Sequence, residues 1–180
     1  MRWLGPIAFA FLSACAHGDS FREGVLEKGK LRVEVGPVPL SWRRVHVEGA
    51  DLAFRDDARE GSALIDVRCG DRDNDAPLGI LTEALVMGTT AREFEAQDVI
   101  PFDRREAMHT RLRAKLDGVP MQYDIYVMKK DGCVYDLVYV APPDRFADGS
   151  ADFERFVLGV HTISSSSAAK RAAGASPRNP

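Results

Sequence analysis

Two Asp-Gly dipeptides, Asp117-Gly118 and Asp131-Gly132, each interrupt a run in which apolar and polar residues alternate. The tightest two-residue reversal between twisted strands, the type I′ turn, needs positive φ at both central positions, and Asp-Gly meets that demand with little strain. The chain around them is therefore an antiparallel meander, and this commits the domain to a sheet built largely from sequential hairpins.

The first turn sets a register. Leu116 opposes Val119, Ala114 opposes Met121, Leu112 opposes Tyr123, Thr110 opposes Ile125 and Met108 opposes Val127. These pairs share one mostly apolar face, as a core face requires. The other face pairs Arg111 with Asp124 and His109 with Tyr126. The second turn offers two registers. A two-residue loop sets Asp136 beside Val127 on the apolar face, where an unpaired carboxylate is costly. A three-residue, bulged loop ending in Gly132 sets Asp136 beside Tyr126 and leaves Tyr135, Leu137 and Tyr139 facing the core. The bulged register is the one expected here.

Further strands are read at Leu31–Val35, Trp42–Val47, Leu52–Arg55, Ser62–Cys69 and Phe94–Phe102. Asp75, Pro77 and Gly88 bracket a helix whose Leu78, Leu81 and Leu85 share one face, widened by Ile80, Ala84 and Met87. That helix is expected to be largely buried. Ser150 is the expected cap of a second helix carrying Phe153, Phe156, Val157 and Val160. The resulting fold class is α+β: an αβα sandwich in which two main helices cover an antiparallel sheet.

Composition supports a folded domain. The chain has 180 residues, 45% of them hydrophobic, which is too apolar for a wholly disordered chain. A formal charge of -3 argues against a general nucleic-acid binder. No apolar run is long enough to span a bilayer as a helix.

The N-terminus reads as an export signal. Met1-Arg2 is a short positive region, Trp3 to Leu12 is a brief apolar stretch, and Leu12-Ser13-Ala14-Cys15 resembles a bacterial lipobox at every position. Cys15 would then be the acylated first residue of the mature protein, held to membrane lipid by its acyl chains. Ala16 after it, rather than an acidic residue, points to the outer rather than the inner membrane. The expected organisation is 1–14 signal peptide, 15–29 lipidated cysteine and tether, 30–163 folded domain and 164–180 disordered basic tail. That tail carries Lys170, Arg171 and Arg178, so the folded part is more acidic than the whole. Export leaves Cys69 and Cys133 as a pair in an oxidising compartment, either bonded or as two separate buried thiols.

Candidate chemistry is sparse. The bulged register aligns His109, Tyr126 and Asp136 across three adjacent strands, a row able to relay protons, to bind a cation or simply to hydrogen-bond under a helix. Asp71, Asp73 and Asp75 have the alternation of a calcium loop, but Ala76 stands where glycine is needed and Pro77 follows. His46 and His161 are isolated, and Arg105, His109, Arg111, Arg113 and Lys115 line a strand. No phosphate loop, Cys-x-x-Cys, His-Glu-x-x-His or Gly-x-Ser-x-Gly occurs. Neither a metal nor a cofactor is expected.

Pro39-Leu40-Ser41-Trp42, the segment from Gly49 to Arg55, Asp131 to Leu137 and Asp152 to Val157 together resemble the PsbP-like family. Its members include a thylakoid-lumen subunit of photosystem II, a Ran-binding nuclear import factor and bacterial envelope lipoproteins. The resemblance implies an αβα sandwich and a non-enzymatic role in docking on larger complexes, here an unidentified envelope complex. No family site residue has a clear counterpart in this chain. The alternative expectation is a small-ligand-binding protein or hydrolase of the envelope, with its pocket near His109, Tyr126 and Asp136.

Overall fold

The computed structural model describes residues 20–70 and 75–163. The signal segment, Cys15, Asp71, Asp73 and the basic tail lie outside the described residues. Two antiparallel sheets organise the rest. The larger has seven strands in the order β4-β5-β6-β10-β9-β8-β7. These are β4 (Trp42–Val45), β5 (Leu52–Asp56), β6 (Gly61–Cys69), β7 (Thr90–Phe102), β8 (Arg105–Leu116), β9 (Val119–Lys130) and β10 (Cys133–Ala141). The smaller joins β1 (Ser20–Arg22), β2 (Val25–Lys28), β3 (Leu31–Glu34) and β11 (His161–Thr162). The stretch expected to be a tether up to residue 29 is thus a β-hairpin from Ser20 onward, because Leu26 buries completely against the core.

Helix α1 (Leu78–Leu85) lies on one face of the large sheet against β8 and β9, and α2 (Phe146–Leu158) lies on the other against β10. This is the αβα arrangement. The first hairpin has the expected register, from Leu116 opposite Val119 to His109 opposite Tyr126.

The second hairpin does not have the expected one. Asp131 (φ 52°) and Gly132 (φ 76°) form a two-residue turn like Asp117 (φ 50°) and Gly118 (φ 83°), so Cys133 opposes Lys130 and Asp136 opposes Val127. The bulged alternative rested on the cost of a lone carboxylate, and that cost is met from a third strand. Arg68 on β6 reaches Asp136 at 2.6 Å. Tyr135, Leu137 and Tyr139 are buried, but on the α2 face, because the sheet has a core on both sides.

The helix ends also differ from expectation. No side chain caps α1, which starts after Pro77 with Asp75 outside it. Only Leu81 and Thr82 within α1 are fully buried, while Ile80 and the following Met87 are exposed. The helix has two turns and spans too little of the sheet to bury both flanks. Helix α2 starts four residues before Ser150, which therefore sits inside it. Its hydroxyl is used across the layer instead of at the helix end.

The α2-side core is aromatic. Tyr139 stacks on Trp42 at 6.1 Å and on Phe153 at 5.7 Å between centroids. Phe54 and Phe156 pack edge to face beside them at 6.0 Å. Two glycines make room for Tyr139. A Cβ on Gly149 would stand 1.8 Å from its hydroxyl oxygen, and one on Gly61 would stand 2.5 Å from it. That hydroxyl donates to the buried Asp56 Oδ2 at 3.2 Å. On the same face, at the other end of β10, Cys69 and Cys133 are directly opposed across β6 and β10 and are disulfide-bonded, with Cα atoms 4.1 Å apart.

Two predictions follow from this packing. Gly149→Ala should destabilise the domain by about 1–3 kcal/mol through overpacking. Adding Tyr139→Phe, which removes the opposing oxygen, should cost less than the sum of the two single changes in a denaturant double-mutant cycle. Replacing both Cys69 and Cys133 by Ala should cost about 4 kcal/mol on the chain-entropy model for a loop spanning 64 residues, read as a fall in the urea midpoint.

Candidate functional site

The expected polar row is divided by the sheet. His109 and Tyr126 lie side by side on the α2 face, their rings stacked at 4.2 Å with an interplanar angle of 12°. Asp136 points to the α1 face. The carboxylate that meets His109 is Asp124 on β9, which opposes Arg111 on β8 and is fully buried. Its Oδ1 lies 2.7 Å from His109 Nε2. Its Oδ2 accepts a hydrogen bond from Ser150 Oγ at 2.6 Å and lies 3.5 Å from Arg111 Nη2.

Serine, histidine and aspartate meet here in an order that does not serve nucleophilic catalysis. An activated serine gives its proton to the imidazole, and the carboxylate stands behind the ring. Here the carboxylate is in the middle and itself accepts the hydrogen bond that the serine hydroxyl donates. The arrangement clamps α2 onto β8 and β9. Asp124 was legible in the first-hairpin register, diagonal to His109, within reach for side chains on one sheet face.

The α1 face holds a different feature. Because α1 covers β8 and β9 but not the β6–β10 side, an open cleft of about 360 Å³ remains. Its apolar walls include Leu64, Leu85, Leu116, Val138 and Val140. Asp136 and Tyr123 line it, although they are only 2% and 7% exposed. Asp136 Oδ2 pairs with Arg68, whose other nitrogen Nη1 lies 3.5 Å from Asp66 Oδ2. Neither Asp136 Oδ1 nor the Tyr123 hydroxyl has a hydrogen-bond partner among the described residues. Glu48 stands at the rim, so three carboxylates face one guanidinium.

Burial is the main reason that the Asp136 carboxyl is pushed up to about 6; Arg68 opposes the shift and Asp66 adds to it. Burial also raises Asp66, and it raises the Tyr123 phenol. The site thus holds buried polar groups that the protein itself satisfies only in part, in an apolar setting. Such a setting suits binding of an amphipathic ligand.

The other sequence candidates are dispersed. His161 lies 3.6 Å from Asp103, which is buried at the β7–β8 turn. Burial would raise the Asp103 carboxyl, but donors from Lys130 and Thr162 outweigh it and hold it low. Arg113 pairs with Glu95 at 2.8 Å, which leaves the basic strand partly neutralised. Sequence reasoning missed Arg68 and Tyr123. Arg68 becomes visible once Cys69 is set opposite Cys133, since that alignment sets Asp66 opposite Asp136 with Arg68 one step along the same face.

No family profile matches the chain, and no curated protein matches it in sequence. Solved structures do match its fold. The cyanobacterial PsbP of Synechocystis sp. PCC 6803 superposes with a TM-score of 0.56 at 14% identity, over 74% of this chain and 87% of that one. LpqN of Mycobacterium tuberculosis, described as involved in cell envelope biogenesis, gives 0.53 at 13%, over 73% and 84%. The Saccharomyces cerevisiae Ran-binding protein Mog1p gives 0.53 at 11%, over 77% and 93%. The fold is therefore PsbP-like. Among the described residues no helix is long and apolar enough to cross a membrane.

The position of Asp136 has a measurable consequence. Its ordinary pKa of about 4 in the unfolded chain rises to about 6 on folding, so the native state holds the proton more tightly. Stability therefore falls as pH rises through this window, where the unfolded state binds fewer protons. Asp136→Asn should accordingly melt close to the parent at pH 4 and above it at pH 7.5, a relative gain of roughly 2–3 kcal/mol. Thermal melts of both proteins across pH 4–8 check the sign.

Proposed function

We propose that this protein is a non-catalytic binding module of the bacterial cell envelope, tethered to membrane lipid through acylated Cys15. The observation that carries the binding role is the uncovered cleft beside α1, where apolar walls surround an incompletely satisfied buried carboxylate. The lipobox-like Leu12-Ser13-Ala14-Cys15 supports the location, and Ala16 in place of an acidic residue favours the outer over the inner membrane. The fold is shared with Mog1p, described as Ran-binding, which favours a binding role for the architecture, and with LpqN, described as involved in cell envelope biogenesis, which favours the location. Fold alone does not fix function, so the weight rests on the cleft.

The module works by presenting the α1 face to an envelope assembly or to a small envelope ligand. Asp136 favours the small ligand, because an unpartnered buried carboxylate oxygen beneath apolar walls suits a molecule with an apolar body and one polar head. A hydrolytic role at His109 has less support, since the Ser150 hydroxyl donates to Asp124 rather than to the imidazole.

Metabolic labelling with palmitate in the native host tests the anchor. Label in the parent that disappears in Cys15→Ala is the expected result, and label that persists would overturn the assignment. Site-specific photocrosslinking from Leu116 at the cleft should yield a discrete adduct in intact cells that is absent when the probe stands at the remote Arg43.

A further inference from the structure

Resting on the small-ligand reading of the cleft, we propose that its ligand is an organic cation: an ammonium group on a short hydrocarbon body, bound between Asp136 and Asp66. Among the residues lining the cleft, Glu48, Asp66 and Asp136 face Arg68 as their one cation, while Lys28, which acts on Asp66 from outside the lining, is already paired with Asp51. Arg68 is the protein's own occupant of the cation position. Its Nη2 lies 2.6 Å from Asp136 and its Nη1 lies 3.5 Å from Asp66, yet its side chain is 39% exposed at the rim. A long, half-solvated arginine can swing outward at modest cost, whereas Asp136 is fixed in the middle of β10 and cannot follow it to water.

A ligand ammonium entering the position of the guanidinium tip reaches both carboxylates and gives Asp136 Oδ1 the donor it lacks. The hydrocarbon body then lies against Leu64, Leu85, Val138 and Val140, running toward the end of the cleft where Tyr123 stands opposite Val140. An anionic ligand is disfavoured, because the carboxylates outnumber the guanidinium and one of them is buried. A neutral ligand fills the walls but leaves the buried carboxylate as unsatisfied as before.

The test uses n-hexylammonium, n-hexanol and hexanoate as probes of equal chain length, titrated into the folded mature domain and followed by amide and methyl NMR shifts. Hexylammonium should bind at least tenfold more tightly than hexanol, with shifts at Leu64, Tyr123 and Val138, and hexanoate should bind worst. Arg68→Ala should tighten the amine by removing its competitor. Asp136→Asn should reduce the amine to the affinity of hexanol and leave hexanol unchanged. Asp66→Asn, at a half-solvated position, gives a second variant with the same direction of effect.

Equal binding of amine and alcohol, or amine binding that survives both carboxamide variants, would overturn the cation assignment while the cleft reading stands. Preference for hexanoate would overturn it as well. Failure of all three probes to move the lining resonances would instead sink the cleft reading on which it depends.

Discussion

The burial of Tyr139 is the constraint around which the other layers are arranged. Its ring occupies the centre of β10, stacks between Trp42 and Phe153, and passes between Gly61 on β6 and Gly149 on α2. Its hydroxyl ends on Asp56, a carboxylate with no solvent exposure that also meets Arg59 at 3.3 Å. One side chain thus ties β10 to β5, to β6 and to the covering helix. Burial and the nearby Asp56 both raise the phenol's pKa, so it stays a neutral donor across the physiological range. Aromatic burial of this extent contributes several kcal/mol per ring on an area basis.

With α2 and the small sheet committed to that face, the opposite face has only α1 to cover it. A two-turn helix shields a limited area, and the β6–β10 end of the sheet stays open. This geometry, more than any motif, creates the cleft. The disulfide between Cys69 and Cys133 fixes the β6–β10 register at its edge, and so fixes where Arg68, Asp66 and Asp136 meet. The network of Asp124, His109 and Ser150 does for α2 what no comparable polar network does for α1 among the described residues. It locks the helix to the sheet through a buried carboxylate that is fully engaged.

Much of the architecture was legible from residues alone, and the failures have physical causes. The Asp-Gly turns announced the meander, and the first register followed from matching apolar partners. The second register was misread because a carboxylate was judged against its two sequence-adjacent strands only. Its partner Arg68 comes from a strand distant in sequence, and no local pattern announces such a pairing. Ser150 was read as a helix cap because serine favours that place, but a buried acceptor on another element outweighed the local preference. Treating only one sheet face as core had the same origin. Alternation in a strand shows which residues differ in polarity, whereas cover on both sides depends on the helices. His109 and Tyr126 were correctly paired, while Asp136 was assigned to the wrong side of the sheet by a single-residue shift.

The account depends most on where Asp136 points, since the cleft, its chemistry and the role of Arg68 all follow from that side chain. Carbon-13 NMR titration of the Asp136 carboxyl in the folded domain tests it directly. The buried α1-face position predicts a midpoint near pH 6, displaced well above the usual aspartate range. A midpoint near 4 would mean a solvated or fully paired carboxylate and would contradict the proposed site.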